Sequence, residues 1–177
     1  MARLPYLTAD DAPEAVAGTL GKLPPLHVFS LMAHAESAFR PWLQFSGAVL
    51  NSLELDPALR ELAILQVGRH AARYEWEQHV PIALVAGVSE DEISALDDGV
   101  LDDFTPERRA VLEYVAAFID GNVDDELHAG LVEHLSNRQI MELCLVAGHY
   151  LMLARTMSAM QIDPDPPAGP DALIRMR

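Results

Sequence analysis

The tightest constraint on this chain is the spacing of Glu61 and His79 within RELAILQVGRHAARYEWEQH, residues 60–79. An α-helix turns about 100° per residue. Eighteen residues are five whole turns, so one continuous helix would put both side chains on the same face. Along its axis they would stand roughly 27 Å apart, too far to share a proton. Either they serve different purposes or the chain bends between them. The bend is expected in Gly68-Arg69-His70-Ala71-Ala72-Arg73, because Gly68 weakens a helix by about 1 kcal/mol relative to alanine. Tyr74-Glu75-Trp76 then opens a second helix, with Glu75 near its positive end. Glu75 and His79, four residues apart, are neighbours on one face of it.

Helix punctuation recurs along the chain. Thr8 reads as the cap of a helix over residues 9–20, and further helices are expected at 28–35 and 38–52. Asp56-Pro57 and Thr105-Pro106 each read as an N-cap followed by proline at the first helical position. Ser89 with Glu92, and Ser136 with Gln139, read as capping boxes. The two devices repeat at offsets of 49 and 47 residues, which suggests two similar helical units, about 56–100 and 105–160. No strand-like alternation appears. Half the residues are hydrophobic but only 6% are Phe, Trp or Tyr, a balance that leans helical. The expectation is an all-α fold of six to eight helices in one domain over residues 1–162. A Pro-rich tail follows at 163–177, either free or laid on a neighbouring subunit.

Residues 139–153, QIMELCLVAGHYLML, are apolar nearly all round. They fall short of the roughly 20 apolar residues of a membrane span, and Glu142 and His149 interrupt them, so a buried helix is expected. Its apolar girth implies burial against further copies of the chain. The net charge of −15 argues against nucleic acid, which calls for a basic footprint, and against anionic membrane surfaces. The single cysteine, Cys144, excludes an intramolecular disulfide and fits a cytoplasmic setting. The first sixteen residues lack the apolar core of a secretory signal.

Residues 40–160 resemble the carboxymuconolactone decarboxylase family, which includes the alkylhydroperoxidase D type. The resemblance is carried by RELAIL at 60–65, YEWEQH at 74–79, AGVS at 86–89 and LCLVAGHYLMLAR at 143–155. Peroxidase-type members carry Cys-x-x-Cys with a histidine four residues after the second cysteine and a glutamate upstream. Aligned on His79, those cysteines fall at Ala72 and Glu75, and Glu61 matches the upstream glutamate to within about one residue. The resemblance therefore implies the branch without the dithiol, no thiol peroxidase activity, and a trimer or hexamer. It also implies a Glu61–His79 proton relay, with Glu75 as a further catalytic group.

The candidate catalytic residues are thus His79, Glu61 and Glu75, and the candidate substrate contacts are Tyr74, Trp76 and His149. Each has a plainer reading. His79 can be the helix partner of an exposed Glu75, and Glu61 can pair with a surface arginine. Tyr74 and Trp76 can be core anchors, and His149 a hydrogen-bonded core histidine. No metal and no cofactor are expected: Glu75 and His79 have usable i,i+4 ligand spacing but no third ligand, and His128 and His134, six apart, do not share a helix face. The functional expectation is a cofactor-free acid/base enzyme, a lyase of the carboxymuconolactone decarboxylase type, acting on a small carbonyl, lactone or carboxylate compound. The alternatives are a redox protein that uses Cys144 alone, and a non-catalytic helical assembly module.

Overall fold

The computed structural model describes residues 1–166, and within them the chain is helical throughout, with no strand. Nine helices follow in order: α1 (Glu14–Leu20), α2 (His27–Met32), α3 (Glu36–Asn51), α4 (Pro57–Ala71), α5 (Arg73–Val85), α6 (Glu90–Asp98), α7 (Pro106–Asp120), α8 (Asp125–Val132) and α9 (Asn137–Met160). That is one more than the upper end of the expectation. The extra element is α8, a short helix capped by Asp124, whose side chain accepts from the Leu127 backbone N–H.

The capping devices read at Asp56, Ser89, Thr105 and Ser136 are in place. Asp56 accepts from the backbone of Ala58 and Leu59, Thr105 accepts from Arg108, and Ser89/Glu92 and Ser136/Gln139 are complete capping boxes. The two units they suggested diverge between the caps. The middle helices have 13 and 8 residues, and the last have 9 and 24. The N-terminal expectation needs correction. Thr8 does not cap a helix over residues 9–20; its N–H and hydroxyl both bond Asp11 in a turn. Pro13 moves the helix start to Glu14, because the residue before a proline is held out of the helical region.

Helix α4 is the axis of the molecule. It packs on α5, α7 and α9, and every residue from Glu61 to Gly68 is buried. Leu59, Ala63, Ile64 and Val67 meet α7 and α9 in one core cluster. Leu62 and Leu65 meet Trp76, Leu96 and Leu112 in a second. Helices α1 to α3 close a third around Val16, Phe29 and Phe39. Helix α9 is long and apolar enough to cross a membrane, yet more than half of its apolar stretch is buried inside the fold. Its girth is not all covered: Met141, Leu145 and Met152 stand exposed.

The bend falls where it was expected, but Gly68 does not make it. Ala72 leaves the helix with φ −164° and ψ 123°, and α5 starts at the next residue. Gly68 stays helical and lets α5 fold back close against α4. A Cβ there would lie 2.7 Å from the Trp76 backbone N and 3.1 Å from its Cα. Those are backbone atoms, which cannot turn aside.

The C-terminal segment as far as residue 166 lies on its own chain. The Asp163 N–H donates to the Tyr6 hydroxyl at 2.7 Å, and the Asp165 carboxylate accepts from the His27 backbone at 2.8 Å. The remainder of the expected tail, 167–177, lies outside the described residues.

Gly68→Ala should therefore destabilise the fold by about 1–3 kcal/mol, the usual cost of overpacking. Urea unfolding checks this; an unchanged midpoint would mean that α4 and α5 are free to move apart.

Candidate functional site

Folding back at Ala72 converts a separation of five helical turns into a contact. Glu61 Oε2 lies 2.8 Å from His79 Nδ1, and both side chains are buried. The other carboxylate oxygen of Glu61 accepts from Arg60 Nε at 2.9 Å and Nη2 at 2.8 Å. Arg60 is fixed in turn by donating from Nη1 to the Leu50 carbonyl. A fully buried carboxylate is stable only with its lone pairs engaged, and Glu61 meets that condition. Burial alone would push its carboxyl up. The charge and hydrogen bond of His79, joined by those of Arg60, outweigh this and hold it below the usual carboxylate range. Engaging Nδ1 fixes the orientation of the imidazole and leaves Nε2 as the nitrogen available to a substrate.

His79 opens onto a cavity of about 60 Å³. Leu26, Val28, Phe29, Leu50 and Leu153 supply its apolar wall, and Tyr74, Glu75, Gln78, His149 and Tyr150 also line it, with Trp42 and Ser46 from α3. The Tyr150 ring stands edge-on to His79, centroids 4.8 Å apart, and to His149 at 5.3 Å. The tyrosine thereby wedges both imidazoles in place.

Glu75 sits in the first turn of α5 and is buried, not exposed. It is not the hydrogen-bond partner of His79: its Oε2 is enclosed with no partner. Burial pushes its carboxyl up to about 7, opposed only by a hydrogen bond from its own backbone. A carboxylic acid poised near neutrality can give or take a proton under ordinary conditions.

His149 also lines the cavity. Its Nε2 pairs with Ser46 Oγ at 3.0 Å, while its Nδ1 is enclosed without a partner. Burial, followed by the charge of His79, lowers its pKa to about 4, so at neutral pH it is an uncharged imidazole. Tyr74 reaches the cavity wall too, but its hydroxyl donates to Asp165 at 2.7 Å. It thus ties the C-terminal segment to the rim.

Trp76 requires correction as a substrate contact. Its ring is buried among Leu62, Leu65 and Ala83, with the Arg73 guanidinium over its face at 5.0 Å. The close approach at Gly68 holds it on the side of α5 away from the cavity. The lone thiol is displaced as well. Cys144 lies about 140° round the helix from His149, and its Sγ faces the Tyr114 hydroxyl at 3.7 Å. Among the described residues, no three His, Cys, Asp or Glu side chains gather in a set that could hold a metal ion.

Sequence reasoning missed Arg60, Trp42 and Ser46. A signal existed for Ser46, a lone hydroxyl in the apolar stripe Phe39, Trp42, Ser46, Val49 of α3. Nothing in sequence placed that stripe against α9.

Known proteins bear on this geometry. The family model "Carboxymuconolactone decarboxylase family" matches residues 36–117. The fold is shared with an uncharacterized peroxidase-related protein of the alkylhydroperoxidase AhpD core from Ralstonia eutropha JMP134. That alignment has TM-score 0.77 and 15% identity over 99% of this chain and 96% of that one. An uncharacterized peroxidase-related protein from Silicibacter sp. TM1040 has TM-score 0.76 and 16% identity, over 99% and 96%. A variant of the debrominase Bmp8 in complex with 2,3,4-tribromopyrrole has TM-score 0.74 and 18% identity over the whole of both chains. At such identities the likeness establishes the fold alone. No curated protein matches the chain.

The unpartnered Glu75 carries a stability consequence. Its pKa is raised on folding, so the folded state holds the proton more tightly than the unfolded one. Stability from this group is full below about pH 4.5 and is lost as pH rises through about 7. The loss is on the order of 3 kcal/mol at most. His149, with its lowered pKa, acts in the opposite sense between about 4 and 6.5. The comparison must therefore be between wild type and Glu75→Gln at each pH. The variant should gain stability relative to wild type between pH 5 and pH 8, read by urea unfolding. A constant difference would show that Glu75 is not buried as an acid.

Proposed function

We propose that this chain, whose residues 36–117 match the carboxymuconolactone decarboxylase family model, is an acid/base enzyme of that family's thiol-free branch. Its substrate is a small carbonyl, lactone or carboxylate compound. The observation that carries this reading is the buried contact between His79 Nδ1 and Glu61 Oε2 at 2.8 Å, on the wall of an otherwise largely apolar cavity.

The chemistry follows from that contact. With the Nδ1 proton directed at the Glu61 carboxylate, the Nε2 lone pair is the base, and Nε2–H of the imidazolium is the acid. Removing a proton beside a carbonyl, or losing carbon dioxide from that position, leaves an enolate. His79 supplies the proton that quenches it, or a hydrogen bond to the developing oxyanion. Glu61 does not touch the substrate; it is a positioning residue that orients the ring and stabilises its charged form. Glu75 supplies a second proton-transfer group, poised near neutrality. Tyr150 keeps the His79 ring from rotating.

Two other readings lose ground on geometry. A redox role for Cys144 lacks a route to the cavity, since the thiol does not line it. A purely structural assembly module gives no reason to bury Glu61 against His79 beside unpartnered polar groups.

The test is exchange of carbonyl-adjacent hydrogen for deuterium in heavy water, followed by proton NMR on a panel of small lactones and ketones. His79→Gln should lower exchange by about 100-fold or more, the usual contribution of a general acid or base, with the fold intact. Glu61→Gln should retain part of the rate and shift the pH–rate profile to lower pH, because the imidazolium loses its stabilising charge. Equal exchange in wild type and His79→Gln would remove the relay.

A further inference from the structure

Four buried side-chain polar atoms among the described residues have no hydrogen-bond partner, and three belong to residues that line the cavity: Trp42 Nε1, Glu75 Oε2 and His149 Nδ1. An enclosed polar atom without a partner costs roughly 1–3 kcal/mol, and three residues that line one cavity each carry such an atom. They come from three different helices, α3, α5 and α9. A local packing fault in one element does not account for such a set.

The donor types describe the occupant. Trp42 Nε1–H can only donate. Glu75, as the neutral acid, donates from its O–H. His149 Nδ1 also donates when Ser46 gives its hydroxyl proton to Nε2. All three unpartnered atoms can therefore act as donors.

The charges set a second condition. Arg60 is balanced by Glu61. With Glu75 as the neutral acid and His79 as the uncharged base, neither adds a charge, and His149 is neutral. The cavity has donors but no standing surplus of positive charge, and its wall is mostly aliphatic and aromatic. A buried carboxylate there would lack a counter-ion and incur a heavy desolvation cost. The net charge of −15 on the whole chain works against an anion on approach as well.

We infer that Trp42, Glu75 and His149 form a recognition set for an uncharged carbonyl compound, a ketone or lactone whose oxygen accepts from these donors, and that the cavity discriminates against carboxylates. This rests on the acid/base reading of the same site and narrows it, because decarboxylation of a carboxylate substrate falls away. What remains is proton transfer beside a carbonyl, in which the carbon–hydrogen bond breaks toward His79 Nε2 and the electron pair moves to the oxygen held by the donor set. The same proton is then returned at another position. The cavity, at about 60 Å³, is well below the roughly 150 Å³ that takes benzene. A ligand of a few heavy atoms fits it as it stands.

The experiment is a titration followed on the indole N–H resonance of Trp42 in ¹H–¹⁵N spectra at pH 6, below the raised pKa of about 7 of Glu75, assigned by its loss in Trp42→Phe. The probes are acetone and methyl formate, each of four heavy atoms, with acetate as the charged counterpart of similar size. The neutral compounds should shift the resonance saturably, and acetate should bind about tenfold or more weakly. In His149→Ala, checked for folding by its remaining spectrum, the neutral compounds should bind more weakly. Acetate binding as well as acetone would overturn the inference. So would no saturable shift with any of the probes, which would leave the donors to water alone. Repeating the titration in His79→Gln separates the two claims. Neutral compounds that bind there while deuterium exchange is lost support both. Binding with exchange unchanged in that variant sinks the acid/base reading and leaves the recognition set standing.

Discussion

The buried contact between Glu61 and His79 organises the molecule. A carboxylate with no exposure to water must be matched in charge and in hydrogen bonds, or the chain does not keep it ionised. Three features meet that demand together. Ala72 breaks the helix, Gly68 lets the returning backbone come close, and Arg60 takes the second oxygen of the carboxylate. The α4–α5 hairpin is thereby fixed in register, because a slip of one residue would part Glu61 from His79. Helices α7 and α9 then pack on a hairpin whose polar centre is already satisfied.

Such a pair is weak evidence for stability, since a well-packed apolar pair of similar volume often does as well or better. Its retention in the centre of an apolar helix is better explained by chemistry. The surroundings support this. The imidazole lines a small, mostly apolar cavity, beside a carboxyl held near neutrality by burial and a second histidine held uncharged. Groups whose environments push them in different directions within one space are what acid/base sites are made of.

Much of this was legible in the sequence, for physical reasons. The eighteen-residue spacing demanded a bend, and the cap residues marked where helices start, because orphan backbone groups at helix ends are local problems with local solutions. Asp56, Ser89, Thr105 and Ser136 all behave as read. What failed was whatever depends on packing between distant segments. Trp76 looked like a pocket aromatic, but which side of α5 faces the cavity is set by the close approach at Gly68. The plainer alternative for Glu75, an exposed partner of His79, fails because its burial depends on the neighbouring helices. Trp42 and Ser46 reach the site from a helix about 100 positions before His149, and no spacing rule joins them. The missing α8 was a short element, where propensity has little to sum.

The central claim is that Glu61 holds His79 by Nδ1 so that Nε2 does the proton transfer. Long-range ¹H–¹⁵N spectra of the histidine side chains test it without a known substrate. The account predicts that neutral His79 carries its proton on Nδ1, directed at Glu61, with Nε2 bare, and that Glu61→Gln abolishes this preference. A neutral His79 carrying its proton on Nε2, with Nδ1 bare toward Glu61, would contradict it.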